Sequence, residues 1–521
     1  MSTENEVPSQ ILTNVRAKLK QLQEQQERIE PYVITLVTPM FGGSSEQGKI
    51  NLNFPIRSSS IRGHLRFWWR ATRGAMYDNV RDLRKHEVAI FGDTDTPSRV
   101  KLWVTADKAK VEDAKETILN KDQKKVIKFK KGFPKYALFP YEEQGQLFYI
   151  KPTYKFRLYI RYEDEPAIRL SNSSPPFTTE IELDLRKEIE AALWAWINFG
   201  GLGSRSRRGC GSMHCDGISP GMNEVRNFKK WFAEKIRQYE LSLLPAGQYR
   251  EWPTLSRDRH IVQGIKPAWD ARPQNVWGEV IQTYQTFRQS RNIKEDEKIG
   301  RSHWPEADSL RRITGMAEPD HHDSTTLPDK TKEELPYAFP RAQLGLPILF
   351  NFTQSKNLKA SFHDKREPYK TELLPAKAGK TRLASPLILK ALAIEPHKSV
   401  GAIIVLNHKP VEGLKLTVKE DKEYKPKKNT REEEHFKQVE SNVSEINIGP
   451  ESIYSHLDYP DSPMSITRNE TATSVISAIE AFLESEGVKQ WQRNQRNNSH
   501  QKKPSQPLKP GQRAWNNHRS K

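Results

Sequence analysis

The chain has 521 residues, enough for two or three ordinary domains, each with a core of its own. Lysine and arginine number 84 against 65 acidic residues, a formal charge of +19, so the averaged surface potential favours a polyanion, with nucleic acid as the first candidate. No run approaches the roughly 20 apolar residues of a membrane span, MSTENEVPSQ has no signal-peptide pattern, and two cysteines are too few for a disulfide framework, so a cytoplasmic location is expected.

Residues 1–30 are polar and helix-permissive and read as an extension. "PYVITLVTPM" is the first strong strand, rich in β-branched residues. Ser58, Ser59 and Ser60 are N-cap candidates for the helix that follows, because a serine hydroxyl accepts from the unpaired amides of a first turn. In "SSSIRGHLRFWWRATRGAMY" the arginines Arg62, Arg66, Arg70 and Arg73 fall within a narrow helical arc. An apolar stripe of Ile61, Leu65, Trp68, Trp69, Thr72 and Met76 flanks them. The pattern predicts a helix that buries one side, fastened through its tryptophans, and holds a row of guanidinium groups beside it. His64 lies off the arginine arc.

"RVKLWVT" predicts another strand, and "VIKFKKGFPKYALFP" a basic strand plus loop. "TYKFRLYIRY" alternates: Tyr154, Phe156, Leu158 and Ile160 face one way, and Lys155, Arg157, Tyr159 and Arg161 the other. The second face suits either RNA, which cations and a stacking tyrosine would meet, or water. "IELDLRKEIEAALWAWINFG" is a helix with an acidic start and an aromatic end that runs into Gly200. Strand, helix, two strands, helix and a last strand after the glycine loop is the order of a ferredoxin-like βαββαβ unit.

In the second half "NVWGEVIQTYQTFRQSRN" reads as a helix, "LPILFNF" and "VGAIIVLN" as strands, and "TSVISAIEAFLESEG" as a late helix. Residues 301–335 and 420–440 read as long loops or partly disordered spans. From Gly487 to Lys521 nine basic residues stand with no acidic one, which predicts a disordered basic tail able to add non-specific affinity for nucleic acid. The resulting division is an extension (1–30), a first domain (31–225), a second domain with insertions (226–488) and the tail (489–521).

The most specific feature is "GGLGSRSRRGCGS", Gly200 to Ser212. Its glycines permit positive φ and close backbone approach, and Arg205, Arg207 and Arg208 add charge that can grip phosphate in bidentate fashion. It is not an ATP or GTP phosphate loop, which ends in Gly-Lys-Ser/Thr before a helix; this loop follows a helix. Cys210 and Cys215 bracket four residues rather than the two of a zinc knuckle, with no second Cys/His pair, so neither they nor His214 make a metal site. His321, His322 and Asp323 read as part of a polar loop.

With "PMFGG", "RAQLGLPI" and "RLASPLILK", the arginine helix and this loop make the chain resemble the RAMP superfamily of CRISPR-associated RNA-binding proteins. More narrowly it is similar to the first-subunit family of the type III-B (Cmr) effector complex. The resemblance implies an α+β chain of two ferredoxin-like (RRM-like) domains with long insertions. It also implies a non-catalytic role in antiviral defence: holding the 3′ part of a guide RNA and capturing complementary target RNA, beside other RAMP subunits of the Cmr complex, with no cofactor. The motif positions that carry this over are Ser58, Arg62, Arg66, Arg70 and, in the loop, Gly201, Gly203, Arg205, Arg207, Arg208 and Gly209; Arg73 joins them as part of the helix's arginine row. Some members of the superfamily cut CRISPR RNA without metal; for that alternative His64 and His214 are the residues to consider, since histidine titrates in the range acid–base chemistry needs.

Overall fold

The computed structural model describes residues 29–491 except 45, 47, 120–123, 143–144, 164–182, 267–269, 294–298, 318–336, 353–366, 420–427, 455–461, 469–470 and 475–476. Most of the N-terminal extension, almost all of the basic tail and the His321–Asp323 cluster therefore lie outside the described residues. The chain is α+β, with several small antiparallel sheets.

The first half builds on strand β1 (Tyr32–Leu36), helices α1 (Ser58–Ala71) and α2 (Val80–Phe91), strands β2 (Val100–Ala106) and β3 (Lys155–Tyr162), helix α3 (Leu185–Phe199) and strand β4 (Met213–Cys215). The strands form one antiparallel sheet in the order β2-β3-β1-β4. This is a β-α-β-β-α-β connectivity with α2 added. Alternation in β3 places Phe156, Leu158 and Ile160 in the core beneath α1 and α3, while Lys155 and Arg157 are exposed on the other face.

The second half repeats much of that order. Strand β5 (Thr254–Val262), helix α4 (Pro273–Arg288), strands β6 (Leu387–Glu395) and β7 (Lys398–Asn407), and helix α5 (Ala478–Leu483) follow one another, with sheet order β5-β7-β6. Nearly every residue of β6 and β7 is buried, because both faces of this sheet are covered. Ile388, Leu392, Val400 and Ile404 join the core of the first half, while Leu387, Leu389, Ile403 and Val405 pack with Trp277 and Val280 of α4. Continuous apolar runs such as "GAIIVLN" follow from that position. Helix α3 lies in the same core as both sheets, and every residue from Ala191 to Phe199 is buried. Its all-round hydrophobicity, with Trp194 and Trp196 fully enclosed, is what such a site demands.

The cores draw on both sides of residue 225, since Phe41, Phe133 and Tyr149 pack with Trp277 and Tyr284. A third core joins strands Ile348–Phe350, Thr371–Pro375 and Leu414–Val418 to helices Glu306–Thr314 and Arg431–Glu445. These two helices correct the expectation of long loops at 306–314 and from 431 onward; 318–335 and 420–427 lie outside the described residues. The buried faces, Phe436, Val439 and Val443 in the second helix, are spaced at three and four residues, a period obscured by the surrounding charge.

Candidate nucleic-acid interface

Helix α1 starts one residue before the expected caps: Arg57 is the N-cap, without a side-chain bond, and Ser58–Ser60 form the first turn. It ends at Ala71, so Arg73–Met76 is a separate 3₁₀ turn and Met76 is 54% exposed rather than packed. The apolar stripe docks as expected, with Ile61, Leu65, Trp68 and Trp69 buried.

The arginine row is held by the protein's own groups. Arg62 donates to the carbonyls of Phe91 and Val100, both at 3.3 Å, tying α1 to the end of α2 and the start of β2. Arg66 Nε and Arg70 Nη2 both contact Glu87 Oε1 at 2.7 Å. Burial pushes the Glu87 carboxyl up, but the two arginines outweigh it and hold it below the usual carboxylate range. Arg73 pairs with Glu188 at 3.1 Å, and Trp69 Nε1 donates to the same carboxylate at 2.6 Å. Arg66 and Arg70 keep 28% and 38% of their side chains exposed.

The glycine loop is equally anchored. Arg205, itself left-handed at φ 59°, donates to Ala137 O at 2.8 Å. Arg207 donates to Ser385 O. Arg208 donates to Leu387 O at 3.2 Å and lies over the Tyr284 ring at 4.8 Å. Trp277 Nε1 returns a bond to Arg208 O at 2.6 Å. Gly203 and Gly209 have φ of 75° and 79°, and a side chain at Gly209 would press on Trp277 at 2.7 Å, so the loop sits flush against the second half.

Between α1 and this loop opens a small cleft of about 170 Å³, open on one side. Its α1 wall is His64, Phe67 and Trp68; its other walls are Phe199 to Gly201, Ser206, Arg207 and Ile388. The Arg207 guanidinium stands 5.8 Å from the Phe67 ring centroid. Burial and the neighbouring Arg208 lower its pKa to about 10, which leaves it charged at neutral pH. His64 stacks on Trp196 at 5.8 Å and 13°, and desolvation pushes its pKa down to about 4, leaving it neutral. A cleft with aromatic walls and one poorly hydrated guanidinium can take a planar base beside a phosphate.

Residues 33–214, from β1 into β4, match the sequence profile of the RAMP superfamily. This part of the chain belongs to that superfamily. The RAMP unit thus contains both α1 and the glycine loop. Two similar proteins come from Pyrococcus furiosus: CRISPR system Cmr subunit Cmr1-1, 30% identical over 160 residues, and Cmr1-2, 29% identical over 182. The alignments cover 30% and 34% of this chain, and 40% and 89% of those proteins, so the chain spans less than half the length of the first of them. Among solved structures, apo Cmr1 from Pyrococcus furiosus aligns with a TM-score of 0.39 at 16% identity, over 80% of this chain and 97% of that one. A chain of the type III-B Cmr-beta complex bound to cognate target RNA aligns with a TM-score of 0.39 at 12% identity, over 79% and 98%.

Of the motif residues, the RAMP unit brings Gly201 and Arg207 to the cleft. Gly203, Arg205, Arg208 and Gly209 support them from behind. Ser58, Arg62, Arg66, Arg70 and Arg73 are not brought to it: Arg62, Arg66 and Arg70 lie on the side of α1 turned about 160° from the His64–Phe67–Trp68 wall, and Arg73 stands in the 3₁₀ turn beyond the helix, paired with Glu188. His214 is buried in β4, and Cys210 and Cys215 are buried free thiols. Among the described residues no cluster of three potential metal ligands occurs, and no helix is long and apolar enough to cross a membrane. Phe67 and Ser206 escaped the motif reading, although Phe67 stands three residues from His64 and beside Trp68, the spacing of a shared helix face.

Proposed function

We propose that this chain is a non-catalytic RNA-holding subunit of a type III-B CRISPR effector, associated with other RAMP subunits and with guide and target RNA. The observation that carries the reading is the meeting of Phe67 and Trp68 with Arg207 and Gly201 across one open cleft in the RAMP unit. Arg207 supplies charge to the RNA backbone, Phe67 a ring for a base, and the glycine loop the close approach; base identity is left to pairing with the guide. The second half reads as a shortened ferredoxin-like unit whose sheet backs the loop. Sequence similarity to Cmr1 subunits supports the assignment to this kind of complex.

The endoribonuclease alternative is the weaker reading, because His64 is stacked on Trp196 and the other residues lining the cleft are aromatic, small, aliphatic or Arg207, so none supplies the acid a leaving group needs. The test is binding of labelled guide RNA to the full chain across salt concentrations. Arg207→Ala and Phe67→Ala should each lower affinity about fivefold or more, and Arg207→Ala should reduce the salt slope by about one. Isotherms identical to the unaltered chain for both would overturn the assignment.

A further inference from the structure

The sheet of the RAMP unit has a second face, away from α1 and α3. Along β2 and β3 the register sets Lys101 opposite Arg161, Trp103 opposite Tyr159 and Thr105 opposite Arg157. The Trp103 and Tyr159 rings are stacked, centroids 5.1 Å apart and planes within 5°. Both are only half-buried, and Lys155, Arg157 and Val33 beside them are exposed. Four cations therefore frame an open aromatic pair on one antiparallel surface. Glu163, just beyond β3, takes Arg161 at 3.1 Å and Lys101 at 3.7 Å. Lys155 and Arg157 have no ion pair among the described residues. Toward β4 the face closes, with Thr35 and His214 buried, so the open area is confined to β2, β3 and the outer part of β1.

We infer that this face is a second contact surface for single-stranded RNA, separate from the cleft, with Trp103 and Tyr159 as the stacking platform and Lys155 and Arg157 as phosphate contacts. The inference rests on the RNA-holding reading above and adds a site to it. An aromatic pair alone is what sheets use to stabilise neighbouring strands. What points to a polyanion is the pair's exposure together with unpaired cations on the same face and no carboxylate among the outward positions of β2 and β3. Duplex RNA, whose bases are stacked away, would not engage such a platform.

The experiment uses the full chain and a labelled mixed-sequence single-stranded RNA, with thermal melting of every variant. Trp103→Leu and Tyr159→Leu should each weaken binding about fivefold or more, and Tyr159→Phe should stay within about twofold. Arg157→Glu, at an exposed position, should weaken binding and lower the salt slope while melting like the unaltered chain. If Trp103→Leu, Tyr159→Leu and Arg157→Glu all bind normally while Phe67→Ala and Arg207→Ala do not, the sheet-face site is rejected and the cleft stands. Loss confined to the leucine variants and matched by lowered melting, with Arg157→Glu normal, also rejects it, because the pair is then structural. An unaltered chain that binds no single-stranded RNA would overturn the RNA-holding reading and this inference with it.

Discussion

Lys390 caps helix α3 across the boundary between the two halves: from the middle of β6 its ammonium donates to Gly200 O, and to Ile197 O at 2.9 Å. The contact binds the second sheet to the residue at which the glycine loop begins. Lys390 is fully buried, and among the described residues no carboxylate pairs with it. It answers carbonyls that a helix end leaves without partners.

Burial pushes the Lys390 ammonium down to about 7. In the unfolded chain it titrates near 10.4, so between these values the unfolded state binds more protons and folding stability rises with pH. Lys390→Met leaves two carbonyls unpaired while removing a buried charge. The expected net loss is about 1 kcal/mol, with a flatter rise between pH 7 and pH 9. Urea unfolding at both pH values measures it; an unchanged pH trend would refute the capping role.

Glu87 joins α2 to α1 through Arg66 and Arg70. Glu87→Gln should destabilise the chain by about 1–3 kcal/mol, since two partly buried guanidiniums lose their counter-charge. The carboxyl is held below its ordinary value, so its contribution is present above about pH 4.3 and is lost as pH falls through the folded value. Acid unfolding of the unaltered chain should therefore be steeper than that of Glu87→Gln, as circular dichroism between pH 6 and pH 3 would record.

Gly209 has φ 79° and faces Trp277 and the Leu389 carbonyl. Gly209→Ala should cost about 1–3 kcal/mol through strain at positive φ, and more if Trp277 cannot move. Limited proteolysis should then cut within 203–208, where the intact loop resists; equal protection would mean the loop relaxes without leaving α4.

His64 is neutral through the physiological range. RNA affinity should vary with pH between pH 6 and pH 8 in the same way for the unaltered chain and for His64→Gln, and incubation of repeat RNA with the full chain should give no products by gel. His64→Gln should leave the RNA equally intact. Cleavage that this substitution abolishes would replace the holding role with a catalytic one.

Local pattern was enough for three elements: β3 from its alternation, α1 from its stripe, and α3 from its acidic start and aromatic end. The glycine loop and its arginines were legible as a unit because so many glycines and guanidiniums have few structural uses. The helices Glu306–Thr314 and Arg431–Glu445 were not, since their buried residues are few among charges and the surface they cover comes from distant strands. The cleft was half legible: Arg207 and Gly201 stood in a motif, whereas Phe67 was one aromatic among several.

From its residues alone this protein's periodicities and its positive charge follow, because spacing and formal charge are properties of the chain itself. Which charges remain free depended on the tertiary structure. Arg62, Arg66, Arg70 and Arg73 find carbonyls and carboxylates on α2, β2 and α3, and Arg205 and Arg208 find carbonyls far along the chain. A guanidinium's partner is set by what packing places within reach, and that distance is not written in the order of the residues.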